Sequence, residues 1–251
     1  MTLSLEGGLS TSCFFEGDLE VMFSVDVLIV MPHPDDAEFG AAGTVAHWTK
    51  EGKKVVYLIC TNGDKGTSNR SLSSERLAAI REREQRAAAE LLGVEKVIFL
   101  GYPDQTLEDT PSFRKEIVRY IRRYRPKIVV TSDPYRRYIW HRDHRVTGQV
   151  TLDAVFPYAR DHLAYPDLME EGLEPHNVEE IWFWGSEDVN HRCNITDTFA
   201  LKLAALRCHE SQLKEIGMPN LEERLKSRAR EMAEGQDFEL AEAFHRERIA
   251  W

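Results

Sequence analysis

The chain has 251 residues, a length that suits one α/β domain with a sizeable buried core. Its 32 Lys and Arg against 42 Asp and Glu give a formal net charge of −10, which argues against a general nucleic-acid binder because phosphate contacts need a basic face. No apolar run approaches the roughly 18 residues of a membrane span, and four widely spaced cysteines favour a reducing cytoplasm over a disulfide framework or a zinc-thiolate site.

The N-terminal segment has no clear strand or helix pattern. Residues 1–22 begin without a basic region and carry four carboxylates, so they do not read as a secretory signal. We predict a disordered or loosely docked extension over residues 1–22 and a single domain over residues 23–251.

From Val25 onward, apolar runs alternate with amphipathic stretches. The apolar runs predict strands at 25–31, 54–60, 96–100, 127–132 and 179–186. The other stretches predict helices at 39–51, 74–92, 111–124, 143–158 and 197–216, and a solvated helix from Leu221. Residues 159–177 read as a polar loop that forms a wall or lid of a site, and the basic run 119–127 as a solvated helix face. The order of elements predicts an α/β fold with a Rossmann-like, doubly wound, mostly parallel sheet.

Two polar loops stand out because they follow strands that this fold places side by side. The first strand ends in "HPDDAE" (33–38), and the fourth is followed by "SDPYRRYIWHRDH" (132–144). With strand order 3-2-1-4-5, strands 1 and 4 are neighbours at the point where the order reverses, and α/β proteins bind ligands there. We therefore expect both loops to line one crevice.

Metal binding is the chemistry that these loops favour. A dinucleotide site would need glycines after the first strand, where this chain has bulky and anionic residues. Imidazole and carboxylate ligands suit Zn²⁺ or a similar cation, and His33 and Asp36 with a third ligand after strand 4 would leave a position open for water. Asp35, between them, could take a proton from that water. The competing interpretation is that the two aspartates only cap the next helix.

These motifs, together with "LKLAALRCHESQ" (201–212), resemble the LmbE-like/PIG-L family of zinc-dependent de-N-acetylases over about Val25 to Phe244. The resemblance implies one Zn²⁺ per chain, or another divalent ion, bound by His33, Asp36 and His144. It also implies roles in the reaction for three further residues. These are Asp35 as general base, His141 as oxyanion stabiliser or acid, and Asp143 as the residue that orients an imidazole.

Other features of the resemblance are less specific. Family members often have an acidic residue where this chain has Ala37, and we explain the shifted Glu38 by the positive end of the helix that it opens. Arg81 stands where the resemblance expects a substrate-contacting arginine, and Asp104, which follows strand 3 on the crevice side, could bind a sugar hydroxyl. An exposed Arg81 paired with Glu82 or Glu84, and an Asp104 that only solvates a loop, are the open alternatives.

The sequence thus predicts a zinc-dependent hydrolase that removes the acetyl group from an N-acetylated amino sugar. The alternatives are a metal-dependent hydrolase of another bond, such as a phosphoester or a non-sugar amide, and a non-catalytic sugar-binding module. We expect a cytoplasmic protein that self-associates and has no nucleic-acid or membrane partner.

Overall fold

The computed structural model describes residues 24–217 and 219–249. The predicted extension over residues 1–22 lies outside them, so the division of the chain at residue 23 stays a prediction. The described strands are β1 (Val27–Met31), β2 (Val55–Thr61), β3 (Lys96–Tyr102), β4 (Ile128–Ser132), β5 (Glu180–Trp184), β6 (His191–Asn194) and β7 (Ala241–Arg248). The described helices are α1 (Asp36–Gly40), α2 (Ala42–Lys50), α3 (Ser74–Leu92), α4 (Pro111–Tyr124), α5 (Arg142–Asp153), α6 (Asp167–Glu170), α7 (Phe199–Arg207), α8 (Glu210–Ile216) and α9 (Leu221–Met232).

Within the described ranges the strands form one sheet in the order β3-β2-β1-β4-β5-β7-β6. The first five pair in parallel, which confirms the predicted doubly wound α/β fold and its 3-2-1-4-5 order. Strands β6 and β7 were not predicted. They extend the sheet by antiparallel pairing, and β7 keeps several charged residues because its second half is largely exposed.

Several helix boundaries differ from the prediction for local reasons. The helix predicted at 39–51 begins at Asp36 and is divided at Ala41, whose φ of −145° is not helical. The helix predicted at 143–158 changes at Ala154 into a π-helical turn, within which Phe156 has non-helical angles before Pro157. The helix predicted at 197–216 is divided at Cys208 and His209. Helices α3 and α4 match their predictions, each with a side-chain cap at its N-terminus.

Apolar side chains fill both faces of the sheet. Helices α4 and α5 cover one face, and α2, α3 and α7 cover the other. Residues 159–177, predicted to be a wall or lid of a site, pack against α4. There the guanidinium of Arg122, fully buried, donates hydrogen bonds to the carbonyl oxygens of this segment. The solvated face predicted for residues 119–127 is therefore wrong at Arg122. No helix in the described ranges is long and apolar enough to cross a membrane.

Candidate active site

The two polar loops meet at the carboxyl ends of β1 and β4, as predicted. These strands pair in parallel from Val27 with Ile128 onward, so the segments that follow them leave the sheet side by side. Residues 33–36 lead from β1 into α1, and His141 caps α5, which carries Asp143 and His144 in its first turn. This convergence follows from topology, since residues more than 100 positions apart become neighbours at the switch point of the sheet.

His33, Asp36 and His144 form the candidate metal centre. One carboxylate oxygen of Asp36 (Oδ2) lies 3.2 Å from His33 Nδ1, and the other (Oδ1) lies 3.1 Å from His144 Nε2. One ligand atom from each of the three residues lies within 4.8 Å of the others. Burial raises the pKa of Asp36, but its contacts with His144 and His33 prevail and hold that pKa well below its usual range.

The second nitrogen of His33 faces carboxylates. His33 Nε2 lies 3.0 Å from Asp104 Oδ1 and 3.3 Å from Asp143 Oδ2, and Asp143 is fully buried. Burial lowers the pKa of His33, but these carboxylates and Asp36 outweigh it and raise the pKa well above its usual range. The carboxylate of Asp143 contacts the imidazole of His33, and its role in orienting an imidazole stays a prediction.

The donor set fits a divalent cation. A metal-bound histidine usually donates its second N–H to a carboxylate, which leaves the lone pair of the other nitrogen for the ion. His33 has this arrangement, with Asp143 and Asp104 on one side of the ring and Asp36 on the other. Two imidazoles and one carboxylate without a thiolate form a ligand set typical of catalytic zinc sites. The structure thus contains a His/Asp site able to hold a metal.

Asp35 stands apart from this centre, although it is adjacent to Asp36 in sequence. Its φ of 92° and ψ of −22° are left-handed, a conformation that non-glycine residues rarely adopt. Arg81 Nη2 lies 3.3 Å from Asp35 Oδ2. Burial raises the pKa of Asp35 to about 6, against the opposing charge of Arg81. As a helix cap Asp35 makes no side-chain hydrogen bond to the helix, so capping alone does not explain it.

Arg81 is buried, which rules out the exposed helix arginine considered as the alternative. Its guanidinium donates to the carbonyl oxygens of Pro34 at 2.6 Å and Gly63 at 3.2 Å. Gly63 is required here, because a Cβ at that position would lie 2.8 Å from the guanidinium carbon and φ is +61°. Arg81 Nε is buried without a hydrogen-bond partner among the described residues. Contact with substrate stays a prediction for Arg81.

His141 lies at the exposed edge of the site. The backbone N–H of Asp143 donates to His141 Nδ1 at 3.1 Å, so the neutral ring carries its proton on Nε2. Burial lowers the pKa of His141, which favours this neutral form. The ring centroids of His141 and His33 are 4.7 Å apart, and the Nε2–H of His141 is therefore a hydrogen-bond donor close to the candidate metal centre.

The side chain of Asp104 lies inside the site, so the alternative that Asp104 only solvates a loop is wrong. Besides its contact with His33, its backbone N–H donates to Asp64 Oδ1 at 2.8 Å, and its carbonyl oxygen accepts from Lys65 Nζ at 2.7 Å. Burial raises the pKa of Asp104, but His33 outweighs it and the pKa is lowered. The loop after β2 thus holds the loop after β3 in place.

A cavity of about 540 Å³ adjoins the candidate metal centre, and both Asp36 and His144 line it. Phe39, Trp140 and Trp184 give it aromatic walls, and α9 and β7 close its far side. Trp184 is also largely buried in the core. This cavity could not be located from the sequence, because it depends on β7 and on how α9 packs.

Two buried polar residues near Asp35, Gln85 and Glu38, were also missed or explained too simply. Gln85 accepts a hydrogen bond from the backbone N–H of Asp35, and Glu38 accepts one from Gln85. His209 Nε2 lies 3.3 Å from Glu38 Oε2. The positive N-terminal end of the helix therefore does not fully explain the position of Glu38, which is fully buried. The one available signal was the spacing of Arg81 and Gln85, which are neighbours on one face of α3.

Comparison with known proteins agrees with this geometry. The family model described as "PIG-L: GlcNAc-PI de-N-acetylase" matches residues 28–155. A diacetylchitobiose deacetylase of Thermococcus kodakarensis is 40% identical over 189 residues, which cover 75% of this chain and 70% of the relative. A protein of Bacillus anthracis named as a probable N-acetyl-α-D-glucosaminyl L-malate deacetylase is 29% identical over 197 residues, which cover 74% of this chain and 80% of the relative.

Among solved structures, an N,N'-diacetylchitobiose deacetylase from Pyrococcus horikoshii in complex with an inhibitor is similar throughout. Its TM-score is 0.83 at 32% identity, and the match covers 90% of this chain and 84% of that one. These relatives confirm the predicted family and the prediction of a de-N-acetylating amidohydrolase. The chain belongs to the PIG-L family of de-N-acetylases.

Proposed function

We propose that this protein is a zinc-dependent hydrolase that removes the acetyl group from an N-acetylglucosaminyl-type amino sugar and releases acetate and a free amine. One observation carries the proposal. His33, Asp36 and His144 bring ligand atoms together, while the neighbouring carboxylate of Asp35 contacts Arg81. A hydrolytic metal site needs both parts, a ligand set and a base that is not a ligand.

Each residue has a distinct part in the proposed reaction. Zinc held by the three ligands, one ion per chain, would polarise the acetyl carbonyl and acidify a water molecule. Asp35 accepts a proton from the attacking water. The Nε2–H of His141 donates a hydrogen bond to the developing oxyanion, and its tautomer is set by Asp143 N–H. The leaving nitrogen takes the proton that Asp35 accepted from the water, which returns Asp35 to its carboxylate form, and the products are acetate and the amine.

The surroundings of the site support an amino-sugar substrate. The cavity beside His144 combines aromatic walls with charged side chains, among them Arg136, Glu187 and Arg228, and such a mixed lining suits a polar small molecule with an apolar face. Asp104 presents a carboxylate that can accept a hydrogen bond from a sugar hydroxyl, and Arg81 is the second candidate for a substrate contact. The names of the relatives from Thermococcus kodakarensis and Bacillus anthracis both specify N-acetylglucosamine-containing substrates.

An assay for released amine and acetate tests the proposal. Purified protein, with and without added Zn²⁺, is given N-acetylglucosamine derivatives, a simple acetanilide and a phosphomonoester. We expect amine and acetate in equal amounts from the acetylated sugars, only when metal is present. Phosphate release with no amine would support the alternative hydrolase. Tight sugar binding without products would support the sugar-binding module.

We also propose that copies of the chain associate and that the protein is cytoplasmic. Tyr138 and Ile139, in the loop before α5, are 90% and 93% exposed, and apolar side chains so exposed favour contact with another protein surface. Light scattering on the purified protein tests self-association. The wide spacing of the cysteines supports the cytoplasmic location.

A further inference from the structure

The peptide of Asp35 is held by a side chain from a distant helix. Asp35 has a left-handed backbone, and its contact with Arg81 through the carboxylate does not by itself fix that conformation. The backbone N–H of Asp35 donates to Gln85 Oε1 at 2.8 Å. Gln85 is fully buried and lies 50 residues further along the chain, so this contact exists only in the folded protein.

Gln85 is itself fixed in orientation by what lies behind it. Its Nε2 donates to Glu38 Oε1 at 3.0 Å, and Glu38 Oε2 lies 3.3 Å from His209 Nε2. A backbone N–H can only donate, so the amide oxygen of Gln85 must face Asp35 and the amide nitrogen must face Glu38. Because Glu38 and His209 are both fully buried, water does not compete for these positions.

Helix α3 therefore holds Asp35 at two points. Arg81 bonds to the carbonyl oxygen of Pro34 and to the Asp35 carboxylate, and Gln85, one turn later, bonds to the Asp35 N–H. This backbone conformation sends consecutive side chains in different directions: Asp36 to the candidate ligands and Asp35 to Arg81. An extended or right-handed Asp35 would point its carboxylate elsewhere.

We propose that Gln85 is a positioning residue that sets where the Asp35 carboxylate lies, through the bond to the Asp35 peptide. This inference rests on the proposed function, in which Asp35 is the base. Gln85 touches neither substrate nor metal and acts only through Asp35. The chain from His209 through Glu38 to Gln85 keeps the amide in place.

The test is a double-mutant cycle between Gln85→Met and Asp35→Asn. Methionine keeps the approximate volume of glutamine and removes both hydrogen bonds. In the wild-type background we expect kcat per bound metal to fall by about 10- to 100-fold, the size of a small misplacement of a reacting group. We expect KM to change less than about twofold and metal content to be retained. In the Asp35→Asn background, Gln85→Met should change kcat less than about twofold, because the base that it positions is already absent.

Glu84→Gln is the matched control on the same helix. Glu84 accepts two hydrogen bonds from Ser211, and neither bond involves Asp35. We therefore expect Glu84→Gln to change kcat by less than about twofold. An equal loss from Gln85→Met in both backgrounds would show a merely structural role and overturn the proposal, as would full activity of Gln85→Met. Full activity of metal-loaded Asp35→Asn would instead refute the role of Asp35 in the proposed function, and this inference with it.

A second variant keeps the proposal testable if Gln85→Met does not fold. The exchange Glu38→Gln with Gln85→Glu keeps both hydrogen bonds: the residue at position 85 still accepts from Asp35 N–H, and the bond between positions 38 and 85 is kept with its direction reversed. We expect each single variant to lose kcat and the exchange to recover most of it. No recovery by the folded double variant would overturn the proposal.

Discussion

Gly148 is the point where α5, the helix that carries Asp143 and His144, lies closest to the sheet. A Cβ at Gly148 would lie 2.3 Å from the carbonyl oxygen of Ser132 and 3.0 Å from the ring of Pro134. Ordinary contact begins at 3.4 Å, so Gly148→Ala must move the helix away from β4 by about 1 Å. The same movement strains the hydrogen bond from Ser132 Oγ to the carbonyl oxygen of His144, now 2.7 Å long.

The expected cost follows from these contacts. Overpacking of this kind costs about 1–3 kcal/mol. The loss of one hydrogen bond, about 1 kcal/mol, and the gain of alanine over glycine in a helix, also about 1 kcal/mol, offset each other. We therefore expect the free energy of unfolding to fall by about 1–3 kcal/mol. Metal affinity should fall by at least about 10-fold, because the movement separates His144 from Asp36.

Two measurements check the Gly148→Ala prediction. Urea unfolding of the metal-free protein gives the change in stability, and competition with a chelator gives the change in metal affinity. Gln149→Ala is the control, since the Gln149 side chain donates to Asp153 of the same helix, and it should change stability by less than about 1 kcal/mol. A Gly148→Ala protein as stable as wild type with unchanged metal affinity would refute the close packing of α5 on β4.

Three further predictions concern the fold and the substrate. Arg122→Met should lower the free energy of unfolding by about 3 kcal/mol in urea titrations, because four carbonyl oxygens lose a buried donor. Unchanged stability would show that these hydrogen bonds do not stabilise the fold. Lys202→Met should cost about 3–5 kcal/mol in the same assay, since it leaves the buried charge of Glu242 without its cationic partner. Lys226→Met is the control, because the side chain of Lys226 is 40% exposed and its ion pair with Glu239 is 4.0 Å long. Acetanilides should be hydrolysed at least about 10-fold more slowly, in kcat/KM, than N-acetylated sugars, because they lack hydroxyl groups to position the acetyl group. Equal rates would argue against a sugar-directed site.

The candidate ligands could be found from sequence because of where they lie in the fold. His33 and Asp36 follow one strand, His144 follows its neighbour, and the β-α-β order alone places both at one crevice. Residues whose position depends on packing could not be found in this way. Gln85 meets Asp35 only because α3 covers the loop after β1, and nothing local in sequence marks that contact.

Charge density was misleading in two places. Arg122 stands in a strongly basic run, yet it is fully buried because the carbonyl oxygens of residues 158–164 surround its guanidinium. The strand β7 carries Glu242, His245 and several other charged residues, and we predicted a solvated helix for the C-terminal tail. Glu242 is buried nevertheless, since Lys202 and the first amides of α2 bind its carboxylate. Both cases need the tertiary partner before the charge can be interpreted.

In the proposed reaction the two adjacent aspartates have different roles, Asp36 as metal ligand and Asp35 as base. The most direct measurement is metal content beside steady-state kinetics for Asp35→Asn and Asp36→Asn, loaded with Zn²⁺ under identical conditions. Asp36→Asn should lose most of its metal, because a neutral amide is a poorer ligand. Asp35→Asn should keep about one ion per chain, with KM nearly unchanged and kcat reduced by about 10²–10⁴-fold. If Asp35→Asn loses its metal and Asp36→Asn keeps it, the two roles are exchanged. If both variants keep full metal content and full activity, neither aspartate has the role proposed for it.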